Sequence, residues 1–137
     1  AGMEMAGAAG GIGGVFCALF GAKLLPGAEL VMDLVSWESK LHGADVVITG
    51  EGRLDAQSTW GKTVYAVYKR AIRKNKPVVA LVGEVVDVGD MDIAVFSVAQ
   101  GPVSLEVACK NTGLFLRQCA KELGKLMSAL EGGRRLL

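Results

Sequence analysis

One histidine, three prolines and three cysteines in 137 residues leave several kinds of chemistry with little to work on. Cys17, Cys109 and Cys119 are an odd number with no C-x-x-C pair. They indicate neither a disulfide framework nor a zinc site, and reduced cysteines in a cytoplasmic protein are the expectation. A membrane-spanning helix needs about 20 apolar residues in a row, and every apolar stretch here is broken sooner by glycine or charge. An excess of one charge is also missing. Fifteen Lys+Arg against 14 Asp+Glu give a net charge of +1, without the basic field that holds nucleic acid. Residues 1–5 lack the basic and apolar regions of a signal peptide and run straight into glycines, as the middle of a longer chain would.

Apolar residues are plentiful. They make up 51% of the sequence, and the mean hydropathy is +0.39, so a soluble domain with an apolar core is expected rather than a disordered chain. The length suits a single α/β domain or a fragment of one, with a glycine-rich turn and helices over 1–43 and a βαβ core with C-terminal helices over 44–130.

The period of the apolar residues supplies the elements. Asp45 to Thr49 and Pro77 to Val82 are β-branched runs, each followed by a glycine, Gly50 and Gly83, and read as buried parallel strands. Between them Trp60, Val64, Val67, Tyr68, Ala71 and Ile72 recur at helical spacing. A third run, Ile93 to Val98, follows a Gly/Asp-rich turn, and Ser104 opens a helical segment. Cys119, Leu123, Leu126, Met127 and Leu130 mark the apolar face of the last helix. Upstream, Val15, Phe16, Leu19 and Phe20 predict a short helix, and 28–41 a further one. Strands alternating with helices predict an α/β fold with a partial, largely parallel sheet of about three strands and flanking helices.

In such sheets ligands bind beyond the carboxyl ends of the strands. Residues 50–62, G-E-G-R-L-D-A-Q-S-T-W-G-K, follow the first strand and hold two carboxylates, two cations, an amide and two hydroxyls. These types suit phosphoryl transfer, which is mostly positioning and charge neutralisation. Asp55 can accept a hydroxyl proton or hold Mg²⁺, Glu51 can be a second oxygen ligand, and Arg53 and Lys62 can pair with phosphate or carboxylate. Gly50, Gly52 and Gly61 let backbone N–H groups approach an anion near the start of the next helix. The plainer reading makes Asp55 or Ser58 a helix cap and Glu51 with Arg53 a solvated ion pair. Gly61-Lys62-Thr63 is not a P-loop, since Ala56 stands where its first glycine belongs, and Phe16 replaces the third glycine of a dinucleotide fingerprint begun at Gly11.

The order of three segments is similar to that of the glycerate kinase family, the type that phosphorylates D-glycerate. They are A-G-A-A-G-G-I-G-G over 6–14, the T-G-E-G-R-x-D-x-Q-x-x-x-G-K pattern over 49–62, and G-P-V-S-L-E over 101–106. Nearly the whole chain resembles the C-terminal third or so of that family. The resemblance implies a fragment of a two-domain kinase whose cleft binds glycerate, ATP and Mg²⁺. It would have the glycine segment, with Gly10, Gly11 and Gly13, and the loop from Glu51 to Lys62, with Gln57 and Ser58, both line that cleft. Two departures stand out: Glu84 where the family has Ser, and a much shorter connection from Glu84 to Asp92, short for a parallel crossover. Alone, the chain would lack half of the cleft.

The remaining residues have plain readings. His42 reads as a surface or helix-capping residue, Cys109 and Cys119 as small core residues, and Lys69, Arg70, Arg73, Lys74 and Lys76 as a solvated helix face. A fragment of a buried sheet would expose a strand edge, so self-association is an expectation. The alternative to a kinase is a non-catalytic α/β remnant that binds a small anion or an oligomeric partner.

Overall fold

A computed structural model describes residues 7–55, 63–99 and 101–134. After a 3-10 turn at Ala8–Gly11 come α1 (Ile12–Phe20), α2 (Gly27–Leu34), α3 (Trp37–His42), β1 (Val47–Leu54), α4 (Thr63–Ile72), β2 (Val78–Val85), β3 (Ala94–Ser97), α5 (Leu105–Lys110) and α6 (Thr112–Arg134). Among the described residues, no helix is long and apolar enough to cross a membrane.

The three strands form one parallel sheet in the order β1-β2-β3. The central strand β2 divides the core by simple alternation. Val78, Ala80 and Val82 face a cluster with Val64, Val67, Tyr68 and Ala71 of α4, Met32 of α2 and Leu41 of α3. Val79 and Leu81 face the other way, toward Phe115, Cys119, Leu123 and Met127 of α6. The central strand is thus covered on both sides, as buried parallel strands require.

Both strands run further than their apolar stretches. β1 continues through Gly50, Glu51, Gly52 and Arg53 to Leu54, and β2 continues through Gly83 to Val85, so the glycines lie inside strands and do not end them. The reason is close approach between the chains. A Cβ on Gly50 would stand 2.5 Å from the Leu81 carbonyl oxygen, and the ladder runs on past both glycines to Arg53↔Glu84 and Leu54↔Val85.

The stretch 28–41 is two helices, because Ser36 adopts a left-handed backbone at φ 52° and the chain restarts from it. Ser39 Oγ donates to the Ser36 carbonyl at 2.8 Å and supports the break. The crossover from β2 to β3 has no helix, yet the strands are parallel. Residues 86–93 suffice because Met91 is buried in the core with Val88 and Ile93 packed against it, and Tyr68 Oη accepts a hydrogen bond from the Asp92 N–H at 3.3 Å. Ser104 does open a helix: its Oγ accepts from the Val107 N–H. On α6 the apolar face is only partly covered, since Cys119 and Leu123 are buried while Leu126 and Leu130 are exposed. Cys109 is exposed as well, on a helix that buries nothing.

Candidate functional site

The carboxyl end of β1 carries the candidate residues in an order set by the strand. Glu51 pairs with Val82 of β2, and Arg53 with Glu84. Directly opposed residues of a ladder come close enough to interact, and Arg53 Nη1 lies 3.5 Å from Glu84 Oε2 with both side chains mostly in solvent. Glu84 stands where the family has Ser, and nothing in the local sequence pattern marks it for the site. It now stands as the partner of Arg53.

Glu51 differs from its neighbours. Its Oε2 is buried and has no hydrogen-bond partner among the described residues. A buried carboxylate oxygen without a partner is costly, and such groups call for a proton, a cation or water.

Leu54 ends the strand and is 1% exposed. Its carbonyl accepts from the N–H groups of Val86 at 2.8 Å and Asp87 at 3.4 Å. The backbone is therefore held to the neighbouring strand's continuation just before Asp55, which is half-buried. Asp55 thus leaves the sheet at its carboxyl end, where ligands of parallel sheets sit. Gln57, Ser58, Gly61 and Lys62 lie outside the described residues. Among those described, Glu51, Asp55 and Glu84 outnumber Arg53 at this edge, so it carries an excess of negative charge. No group of three or more His, Cys, Asp or Glu side chains forms a metal cluster among the described residues. One or two carboxylates are nonetheless enough for Mg²⁺, which keeps water and substrate oxygens in its remaining positions, and the unpartnered Glu51 oxygen suits such a hard cation.

The glycine-rich turn is built differently. Ala9, Gly10 and Gly11 all take left-handed backbones, at φ 51°, 69° and 88°, and α1 starts directly after them. Gly13 faces Leu24, whose Cδ2 would lie 3.0 Å from any added Cβ. This turn has no substantial contact with β1, so the described residues do not bring Gly10, Gly11 and Gly13 together with Glu51 and Asp55.

Sequence reasoning placed Arg70 on a solvated face, and the structure corrects this. Its side chain is 13% exposed and reaches three carboxylates: Glu29, Asp33 at 2.6 Å and Glu38 at 2.9 Å. The Asp33 hydrogen bond raises the guanidinium pKa, burial opposes the rise, and Glu29 adds to it. Arg70 thus ties α2 and α3 to α4, the helix that follows the candidate segment. The i, i+4 spacing of Glu29 and Asp33 on α2 was the available signal. His42 does stand at a helix end, with Gly43 as the cap.

Comparison with known proteins bears on the same residues. The model of the Glycerate kinase family matches residues 1–128. A glycerate kinase of Neisseria meningitidis serogroup B is 38% identical over 131 residues, covering 92% of this chain and 35% of that protein. A glycerate kinase of Halalkalibacterium halodurans is 39% identical, covering 90% of this chain and 34% of that protein. A crystal structure of a glycerate kinase 2 from Salmonella typhimurium LT2 superposes with a TM-score of 0.65 at 42% identity, over 90% of this chain and 33% of that one. The chain spans about a third of the length of these relatives. The chain therefore belongs to the glycerate kinase family and corresponds to its C-terminal portion.

Proposed function

We propose that the chain is part of a kinase that transfers the γ-phosphoryl group of ATP to a hydroxyl of D-glycerate. The observation that supports this best is the carboxyl end of β1, where Glu51 keeps an unpartnered buried oxygen and Leu54 fixes the backbone before Asp55. Glu51 and Asp55 would hold Mg²⁺, which when bound neutralises phosphate charge. Asp55, if it does not hold the ion, takes the proton of the glycerate hydroxyl as that oxygen bonds to the γ-phosphorus and the bond from phosphorus to the departing ADP breaks. Arg53 exchanges its exposed partner Glu84 for phosphate or the glycerate carboxylate, an easy exchange since a solvated ion pair is weak. Lys62 adds a second cation, while Gly50, Gly52, Gly61, Gln57 and Ser58 contact phosphate and substrate. Gly10, Gly11 and Gly13 would line the same cleft in the complete enzyme.

The exposed and weakly paired Arg53 also admits a second reading, a non-catalytic α/β remnant that binds a small anion or an oligomeric partner through the same segment. A coupled ADP-release assay with D-glycerate and MgATP separates the two. We expect turnover only when the polypeptide equivalent to the rest of the family is restored. Silence from that restored, folded protein, with stabilisation by phosphate, would leave only the remnant.

A further inference from the structure

The ladder between β1 and β2 sets Arg53 and Glu84 directly opposite each other, and it is pinned on either side of them. Before Arg53, the Gly50 backbone lies against the Leu81 carbonyl with no room for a Cβ between the strands. After it, the Leu54 carbonyl accepts from the Val86 N–H at 2.8 Å. The strands cannot slide past one another, so the Glu84 carboxylate is tethered beside the Arg53 guanidinium. Their contact is nonetheless loose. Arg53 Nη1 stands 3.5 Å from Glu84 Oε2, with the side chains 60% and 58% exposed, whereas a charge-assisted hydrogen bond closes to about 2.7–2.9 Å. Arg70 supplies the contrast, 13% exposed and holding Asp33 at 2.6 Å and Glu38 at 2.9 Å. One arginine is fastened by its carboxylates; the other is only occupied by one.

We infer that Glu84 is a built-in competitor for the anion that Arg53 receives, so that this residue of β2 sets the anion affinity of the site from outside the segment 50–62. The guanidinium pairs with a carboxylate or a phosphate through the same fork of N–H groups. Glu84 is a carboxylate already attached at the next strand, and its tether keeps it at a high local concentration that any anion from solution has to displace. Removing it leaves the fork open to water and raises the affinity for a free anion. The gain is small, because an exposed pair is weak, but its sign is fixed. Acting through Arg53, Glu84 is a positioning residue and not a catalytic one. The inference rests on the proposed anion at Arg53, which the kinase and the remnant readings share.

The test is a titration of this chain with inorganic phosphate at low ionic strength, followed through the backbone amide shifts of residues 50–55 and the Arg53 Nε–H. Glu84→Gln keeps the shape of the side chain and should bind phosphate roughly threefold more tightly, the scale of one exposed ion pair, with the melting temperature unchanged. The gain should shrink in added salt and largely vanish when the same change is made in an Arg53→Gln chain. Three results would overturn the inference: equal phosphate affinity of Glu84→Gln and the parent, no phosphate response in either protein, or a gain undiminished without Arg53, which would reflect lost charge alone. In the restored kinase Glu84→Gln should lower the KM of MgATP or of D-glycerate with kcat little changed, and the substrate that moves identifies the anion on Arg53. A phosphate gain in this chain without turnover by the restored protein would sink the kinase reading and leave the competition intact.

Discussion

Gly83 passes so close beneath the carbonyl oxygen of Gly52 that a methyl group in place of its hydrogen would stand 2.5 Å from that oxygen. Both atoms belong to backbone, so neither can turn aside.

Gly83→Ala should therefore push β1 and β2 apart where the candidate residues stand. Overpacking of this kind costs about 1–3 kcal/mol. Urea unfolding should show a loss in that range, whereas Gly113→Ala on α6, which meets open space, should be neutral or stabilising. Equal stability of Gly83→Ala and the parent would mean the strands part freely.

Leu54→Ala should remove about 2–5 kcal/mol, the usual cost of truncating a buried leucine, because Leu54 is 1% exposed and packs in the core with α4. The backbone hydrogen bonds from Val86 and Asp87 are to its carbonyl and survive the change. Chemical denaturation measures the loss, and a drop below about 1 kcal/mol would contradict the packing.

Asp55→Asn keeps the shape of the side chain and removes its charge. In a complete enzyme of this family it should lower turnover at least a hundredfold, the scale of general acid–base contributions of about 10²–10⁴, with little change in melting temperature. Unaltered turnover would take Asp55 out of the chemistry.

Arg70 should rank its substitutions by geometry. Arg70→Lys retains one point charge among three carboxylates and should lower the melting temperature; Arg70→Met leaves Glu29, Asp33 and Glu38 facing each other and should lower it further. Added salt should shrink the difference by screening the partners, which are partly exposed. A melting temperature identical in all three proteins would show that apolar packing alone holds α2 and α3.

The core strands, α4 and the capped start of α5 were legible because period and β-branching are local signals. What escaped was decided by neighbours distant in sequence. Gly50 and Gly83 read as strand ends, since local pattern cannot report that a carbonyl from another strand lies against them. The crossover 86–93 looked too short for parallel pairing because its burial of Met91 and its bond to Tyr68 depend on the finished fold. Arg70 and Cys109 were misplaced for the same reason: a basic residue was assumed solvated and a thiol buried, and only tertiary packing assigns the reverse. Of the candidate site, the residue types came from sequence, while the unpartnered oxygen of Glu51 and the Arg53–Glu84 pairing came from the ladder.

The longest element behaves as a beam held near its middle. α6 runs 23 residues, roughly 35 Å at 1.5 Å per residue, yet it is fastened to the sheet through Phe115, Cys119, Leu123 and Met127. Beyond Met127 the helix overhangs its support for nearly two turns, with Leu130 uncovered. Fraying of that cantilevered end would leave the sheet untouched, so heat or a protease should shorten the helix from its C-terminus before the fold itself gives way.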